Sequence, residues 1–328
     1  MKKPVLLSGH PELLVSLLEN EREIALVHDR NVSPFAERIS GLAPSGSVKA
    51  CIAVDAREKD KTLESAADIC RRLLDEGLSR EGLLIGIGGG VTTDLAGFAA
   101  AIYKRGIRFA AVPTTLLGQV DAAIGGKNGV NLDGYKNAIG TFCFPEFTLL
   151  CPEAREGLPE RELRCGLAEM LKTFLIADAP AYHRAVRDGW DQSLVEKAAG
   201  IKASIVAEDP FDNGHRKVLN LGHSFGHAIE KCSGGNIPHG EAVSMGIIMA
   251  ARLSEAAGVT ALPLAKTLAA DFSSAGLPTD CPFAPGELAP CMKADKKRSG
   301  DTLDFVLLEA PGKPVLLPLS IEKAFELL

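Results

Sequence analysis

Three of the seven histidines in this 328-residue sequence fall in one stretch, RKVLNLGHSFGHAIEKCSGGNIPHGE, from Arg216 to Glu241. His223 and His227 are four residues apart, so on a helix they project from one face, one turn above the other. Asn220, three residues before His223, is expected on that same face. Leu219, Phe225 and Ile229 fall elsewhere on the wheel and would seat the helix in a core. Ser233-Gly234-Gly235-Asn236 ends the pattern as a turn. Pro238-His239-Gly240-Glu241 then opens a second helix, with His239 near its N-terminal end. Two imidazoles from one hairpin of helices are half of a divalent-metal site, and a carboxylate is still needed. The competing reading makes them hydrogen-bonded core histidines; their clustering, with a glycine close to each, favours metal or catalytic chemistry.

A carboxylate is available upstream, on a helix expected from Glu160 to Ile176. Glu162 and Glu169 are seven residues apart, two turns along one face, and Lys172 follows Glu169 by three. A surface ion pair is the bland reading and is worth little. The apolar neighbours Leu167, Ala168, Met170, Leu171 and Phe174 argue that the face is partly buried, where a glutamate can complete a site with His223 and His239.

The elements that position these residues begin with alternating strands and helices. EIALVHD (Glu23 to Asp29), VKACIAV (Val48 to Val54), GLLIGI (Gly82 to Ile87) and IRFAAV (Ile107 to Val112) read as buried strands. A charged loop around Glu58 and Lys61 leads to the helix TLESAADICRRLLDEG, and LAGFAAAIYKR reads as another helix. This alternation predicts an α/β N-terminal domain with a parallel sheet. Between the third strand and its helix lies Gly88-Gly89-Gly90-Val91-Thr92-Thr93-Asp94. Glycines there let backbone amides approach a diphosphate at a helix N-terminus, although GxGxxG is missing and a packing turn is the alternative. From Gln119 to Gly140 the chain is polar, glycine-rich and poor in large apolar residues, and reads as a functional or disordered loop. Asp121, Lys127, Lys136 and Asn137 in it would suit an anionic, polyhydroxylated ligand, or be merely solvated. Beyond Pro159 the pattern is mostly α-helical, with Lys202 in the helix LVEKAAGIKASIVAED and a strand at TLDFVLL, so a domain boundary is expected near residue 152.

Bulk properties exclude several classes. The formal net charge of -6, with no long basic block, argues against nucleic-acid binding. No apolar run is long enough for a membrane span, and the N-terminal apolar segment is broken by Pro4, Gly9 and Pro11, so no signal peptide is read. Eight cysteines without a CxxC pair suit reduced thiols in a cytoplasm better than a disulfide framework.

Taken together, GGGVTTDLAGFAAA, YKRGIRFAAVPTTLLGQVDAAIGGKNGVN, YKNAIG, RELRCGLAEMLK, LNLGHSFGHAIE, PHGEAVSMG and DKKRSG resemble, in order, the motifs of the 3-dehydroquinate synthase family of sugar-phosphate cyclases. The resemblance covers roughly residues 25 to 310. It implies a Rossmann-like NAD-binding domain over residues 1–152 and a helical metal- and substrate-binding domain over residues 153–328. By motif position, Glu169, His223 and His239 would hold a divalent metal, zinc first and cobalt second. NAD+ contacts would come from Asp29, Glu58, Lys61, Gly89, Gly90, Asp94, Thr114 and Thr115, with Lys127 and Lys136 near both cofactor and substrate. Substrate and catalytic positions would be Asp121, Lys127, Lys136, Asn137, Lys172, Lys202, Arg216, Asn220, His227 and Lys296, with Lys297 an equal candidate for the last. Arg105 matches an arginine that reaches the neighbouring subunit's site, implying a homodimer.

The implied reaction converts 3-deoxy-D-arabino-heptulosonate 7-phosphate to 3-dehydroquinate and phosphate, a shikimate-pathway step. It proceeds by NAD-dependent oxidation, β-elimination of phosphate, reduction and intramolecular aldol closure. The partner is thus a small sugar phosphate, with neither nucleic acid nor membrane involved. Against the family's usual residues, Thr92-Thr93 stands for Ile-Gly, Ala122-Ala123 for two serines and Asn128 for threonine; Thr93 is expected to cap the helix. The rivals are a sister cyclase acting on another sugar phosphate and a metal-dependent polyol dehydrogenase, which would release NADH. A non-catalytic NAD- or metal-binding regulator would not need Asp121, Lys172 and His227 besides the ligand set.

Overall fold

The computed structural model describes residues 4–295 and 302–328, and the expected phosphate contact at Lys296 or Lys297 lies outside them. The chain divides into two compact units. One runs to Pro159 and includes Lys202–Phe211; the other comprises Glu160–Ile201 and Asp212–Leu328.

The first unit contains β1 (Leu6–Ser8), α1 (Leu13–Leu18), β2 (Ile24–Asp29), α2 (Ser33–Leu42), β3 (Val48–Val54), α3 (Leu63–Asp75), β4 (Leu83–Gly88) and α4 (Gly90–Ile102). It continues through β5 (Arg108–Pro113), β6 (Lys127–Leu132), β7 (Tyr135–Phe142) and β8 (Thr148–Leu150). Six strands form a sheet in the order β1-β8-β5-β4-β2-β3, with all pairings parallel. Along each strand the side chains alternate between two cores. Ala25 and Val27 of β2 join α3 and α4 through Ile69, Leu73, Leu95 and Phe98, whereas Ile24 and Leu26 join α1 and α2 through Leu14, Leu18, Ala36 and Ile39. Helices on both faces explain why these strands read as continuous apolar runs. The chain passes from β2 outward to β3 and returns to β4 on the other side of β2. The crevice beyond the carboxyl ends of β2 and β4 is therefore the switch point at which such sheets bind ligands.

Three expectations about this unit need correction. The helix after the glycines starts at Gly90, not Leu95, so Val91-Thr92-Thr93-Asp94 forms its first turns. Thr93 does not cap it: its hydroxyl donates back to Gly89 O and Gly90 O, 3.2 and 3.1 Å away, and Gly89 itself is the uncapped N-cap. The stretch from Gln119 to Gly140 is not a loop either. It is a π turn over Gly118–Ala122 followed by the antiparallel hairpin β6/β7. Asp133 and Gly134 both take positive φ, 48° and 81°, in the two-residue turn between paired Leu132 and Tyr135. Asn128, the departure from the family's threonine, closes the hairpin's other end by donating to Gly126 O and Cys143 O, both at 2.9 Å.

The second unit is built from α5 (Glu160–Ala177), α6 (Ala179–Asp188), α7 (Gln192–Glu208, whose last turns fall to the first unit), α8 (His223–Cys232), α9 (His239–Ala256), α10 (Leu264–Ser274) and α11 (Pro285–Asp295). The antiparallel pair β9 (Thr302–Ala310) and β10 (Lys313–Ser320) and α12 (Ile321–Leu327) complete it. The strand expected at TLDFVLL is β9; β10 was not foreseen. Cys232 at the end of α8 and Cys291 on α11 form a disulfide, with Cα atoms 6.3 Å apart. The other six cysteines are free, so the chain has no disulfide framework, but this pair departs from the expected reduced thiols. The two are 59 residues apart, a spacing that carries no local signature.

Candidate metal and cofactor sites

Close approach of three helices creates the cluster in the second unit. A Cβ on Gly246 of α9 would lie 2.1 Å from Gly222 O, and one on Gly226 of α8 would lie 3.2 Å from Ala242 O. A Cβ on Gly240 would lie 2.3 Å from the Cα of Cys165 on α5. Backbone therefore meets backbone, and the first turns of α8 and α9 are drawn against the middle of α5. Gly222, at φ 77°, breaks the chain before α8 begins at His223. Asn220 consequently belongs to a separate short 3₁₀ segment, His215–Asn220, and not to the histidine helix as expected.

Glu169, at the centre, is fully buried. Its Oε2 is 2.5 Å from Lys172 Nζ, and its Oε1 is 3.6 Å from His223 Nε2 and 3.3 Å from His239 Nε2. Neither oxygen is closed off by a directed hydrogen bond among the described residues. Burial opposes its ionisation, but Lys172, His223 and His239 together hold its pKa well below the ordinary range. The pairing with Lys172 is thus a buried one, not the surface pair weighed from sequence, whereas Glu162 is exposed and takes no part.

The two imidazoles differ. Burial and the Lys172 charge push His223 down to about 3, which leaves it neutral, while its Nδ1 is held by Leu221 O at 3.2 Å. For His239 burial acts in the same direction, but the carboxylates of Glu169 and Glu230 on either side outweigh it and raise the pKa to about 10. Ligand atoms of Glu169, His223 and His239 all lie within 4.8 Å of one another. One carboxylate without directed hydrogen bonds and two imidazole nitrogens converging on it are a donor set that fits zinc or cobalt. His227 lies on the same face of α8, its ring 5.3 Å from that of His223 and exposed. Arg216 is buried in the 3₁₀ segment before α8.

In the first unit, the carboxyl ends of β2 and β4 present Asp29 and Gly89-Gly90. Added Cβ atoms at Gly89 and Gly90 would come within 3.0 Å of Thr115 Cγ2 and 3.2 Å of Ala122 Cβ, so only glycine leaves this cradle open to a phosphate. Thr114 is buried beside it, its amide bonded to Gly88 O at 2.9 Å, and Thr115 Oγ1 accepts from Gly118 N at 3.0 Å. These features fit a dinucleotide. Lys61, nearly buried, donates to Asp94 and to Asn137 Oδ1, the latter at 2.5 Å. Asn131, not singled out from sequence, ties the group together. Its Nδ2 donates to Glu58 Oε1 at 2.8 Å, and its Oδ1 accepts from Asn137 N at 2.9 Å. Burial raises the Asp94 pKa to about 6 against the opposing pull of Lys61. Asp121 is held separately by Lys202, whose Nζ reaches its Oδ1 at 2.6 Å and its carbonyl at 2.9 Å. Lys127 and Lys136 stand exposed on the hairpin, and Arg105 stands exposed, with φ 67°, in the turn after α4.

The 3-dehydroquinate synthase N-terminal family model matches residues 51–165, and its C-terminal counterpart matches residues 166–298. The chain belongs to the 3-dehydroquinate synthase family. A 3-dehydroquinate synthase of Thermococcus kodakarensis is 46% identical over 256 residues, 76% of this chain and 72% of that protein. One from Pyrococcus abyssi is 41% identical over 309 residues, 92% of this chain and 90% of that protein. In structure the chain is similar to 2-deoxy-scyllo-inosose synthase complexed with carbaglucose-6-phosphate, NAD+ and Co2+. That match has a TM-score of 0.87 at 25% identity and covers 98% of this chain and 95% of that one. The family's α/β first part with a parallel sheet and its helix-rich second part are the architecture described above.

Proposed function

We infer that this chain acts as a 3-dehydroquinate synthase, converting 3-deoxy-D-arabino-heptulosonate 7-phosphate to 3-dehydroquinate and phosphate. The observation that carries the inference is identity of 41% to a named relative over 92% of the chain. A Glu169-His223-His239 donor set within one unit adds support. The cofactors are NAD+ and a divalent metal, with zinc the first choice, and the working form is a cytoplasmic homodimer. NAD-holding and metal-holding parts correspond to the two units, which divide after Pro159 rather than near residue 152.

When bound, the metal supplies Lewis acidity and NAD+ supplies a hydride acceptor that is restored in each turnover. The chain's own residues do the rest. Glu169, His223 and His239 hold the metal. The Gly89-Gly90 cradle, Asp29, Glu58, Lys61, Asp94, Thr114 and Thr115 hold and orient NAD+. His227, one helical turn from His223, moves a proton at the substrate hydroxyl that is oxidised. Asp121, fixed by Lys202, and Asn137 and Asn220 orient hydroxyls. Lys127, Lys136, Lys172 and Arg216, with Lys296 or Lys297, meet the carboxylate and phosphate of an anionic substrate. Arg105 serves the partner's site in the dimer.

The test is phosphate release from this substrate by metal-stripped protein, with Zn2+ and NAD+ restored separately and together while NADH absorbance is followed. Release that needs both, without NADH accumulating and with 3-dehydroquinate as product, is the expected result. Accumulating NADH would indicate a dehydrogenase, and silence would indicate a sister cyclase. Sedimentation, and activity recovered on mixing Arg105→Ala subunits with subunits inactive at another site residue, test the dimer.

A further inference from the structure

His239 faces a carboxylate at each ring nitrogen. Its Nε2 faces Glu169 Oε1 at 3.3 Å, and its Nδ1 lies 3.1 Å from Oε2 of Glu230. Glu230 sits on α8, seven residues after His223, and is 5% exposed. A carboxylate so deeply buried is costly unless it is partnered, and the imidazole is one partner. His223 is treated differently, for among the described residues its Nδ1 meets a backbone carbonyl, Leu221 O, at 3.2 Å. A carboxylate accepting from Nδ1–H fixes the tautomer that leaves the Nε2 lone pair toward Glu169, locks the ring's orientation and makes Nε2 a stronger donor.

We propose that Glu230 is a positioning residue for the metal centre: its carboxylate accepts from His239 Nδ1–H, aiming and strengthening Nε2 as a ligand. This rests on the reading of Glu169, His223 and His239 as the metal site. One geometric competitor exists. Ligand atoms of His227, Glu230 and His239 also lie within 4.8 Å of one another, so Glu230 could itself be a ligand. The assigned set is favoured because Glu169 is wholly buried and lacks directed hydrogen bonds among the described residues, whereas Glu230 already has the Nδ1 contact.

The experiment is Co2+ binding to the metal-stripped full chain, read by competition with a chelator and by the visible d–d spectrum at saturation. Wild type, Glu230→Gln, Glu230→Ala and His239→Ala are compared, with circular dichroism as the check on folding. Positioning predicts unchanged stoichiometry with affinity about 10–100-fold weaker in Glu230→Ala and a smaller loss in Glu230→Gln, whose amide oxygen can still accept. It also predicts shifted d–d bands in both variants at saturation, which a purely structural role would not produce. Should Glu230→Ala fail to fold, the isosteric Glu230→Gln carries the test. Wild-type affinity and spectra in the folded variants would overturn the proposal. Stoichiometric loss as complete as in His239→Ala would overturn it in favour of Glu230 as a ligand. A wild type that binds no Co2+ would instead overturn the metal-site reading itself.

Discussion

Each unit buries a carboxylate against a lysine, and the two carboxylates respond in opposite directions. Asp94 contacts Lys61 and is drawn up to about 6, while Glu169 contacts Lys172 and is held well below its ordinary range. Burial raises both. The difference lies in the company: Asp94 has one close cation, a weaker pull from Lys202 and an opposing push from Glu58, whereas Glu169 has Lys172 and two imidazoles. A single ion pair therefore does not offset desolvation here, and three converging positive or protonatable groups do. The first arrangement leaves a carboxylate that titrates near neutrality beside the proposed cofactor cradle. The second keeps a permanent anion where a cation is proposed to bind.

The largest effect expected from breaking this contrast is in Glu169→Ala. It removes the anion beside Lys172, whose side chain is 2% exposed, at a cost of about 3–5 kcal/mol of stability. Co2+ binding and phosphate release should vanish with it. Urea unfolding of the metal-free variant measures the first loss, and a midpoint equal to wild type would show that Lys172 finds other neutralisation. A somewhat smaller loss is expected from Gly246→Ala, because the new methyl would meet Gly222 O at 2.1 Å and force α9 away from α8. Overpacking of this kind costs about 1–3 kcal/mol or more. Since His223 and His239 sit on the two helices pushed apart, Co2+ affinity should fall in parallel with the melting temperature. Unchanged affinity with lowered stability would show that the donor set tolerates the shift.

How much of this was legible in the sequence follows from the same physics. Strands β2 to β5 and their helices were readable because apolar runs and helical periodicity are local signals, as were the His223/His227 spacing and the Glu169/Lys172 pair. The hairpin β6/β7 was missed because its exposed strand lacks an apolar face, although Asp133-Gly134 is a hairpin turn signal. The i, i+3 pattern alone puts Asn220 on the histidine helix, but Gly222, whose positive φ ends that pattern, separates the two. Glu230 and Asn131 went unnoticed for a different reason: their partners His239 and Glu58 are nine and 73 residues away, and only the folded chain joins them. A signal for Glu230 did exist in its seven-residue spacing from His223, among the buried residues Ala228 and Ile229.

The third test concerns the pH response of the first unit. With a folded pKa of about 6, above the unfolded value of 3.8, Asp94 favours the folded state while protonated. Its contribution is complete below about pH 3.8 and is lost as pH rises through about 6. Wild type should therefore lose up to about 3 kcal/mol relative to Asp94→Asn between pH 4 and pH 7, since each pH unit separating the folded and unfolded values is worth about 1.4 kcal/mol. Urea midpoints of both proteins across that range decide the matter. Parallel curves would mean that Lys61 neutralises Asp94 fully and that the contrast with Glu169 is one of degree only.

The smallest effect is expected where contact geometry is best. Arg161 grips Glu241 with two nitrogens, Nε on Oε1 at 2.6 Å and Nη2 on Oε2 at 2.8 Å, whereas Lys172 makes a single 2.5 Å contact with Glu169. If hydrogen-bond count set the energy, the arginine pair would be the stronger. Arg161, however, is 59% exposed, so water and salt screen the attraction and its side-chain freedom must be given up to form the pair. A double-mutant cycle of Arg161→Ala and Glu241→Ala should give a coupling below about 1 kcal/mol that shrinks further in 1 M salt. Coupling of about 3 kcal/mol or more, insensitive to salt, would place this pair with the buried ones and remove burial as the variable that separates them.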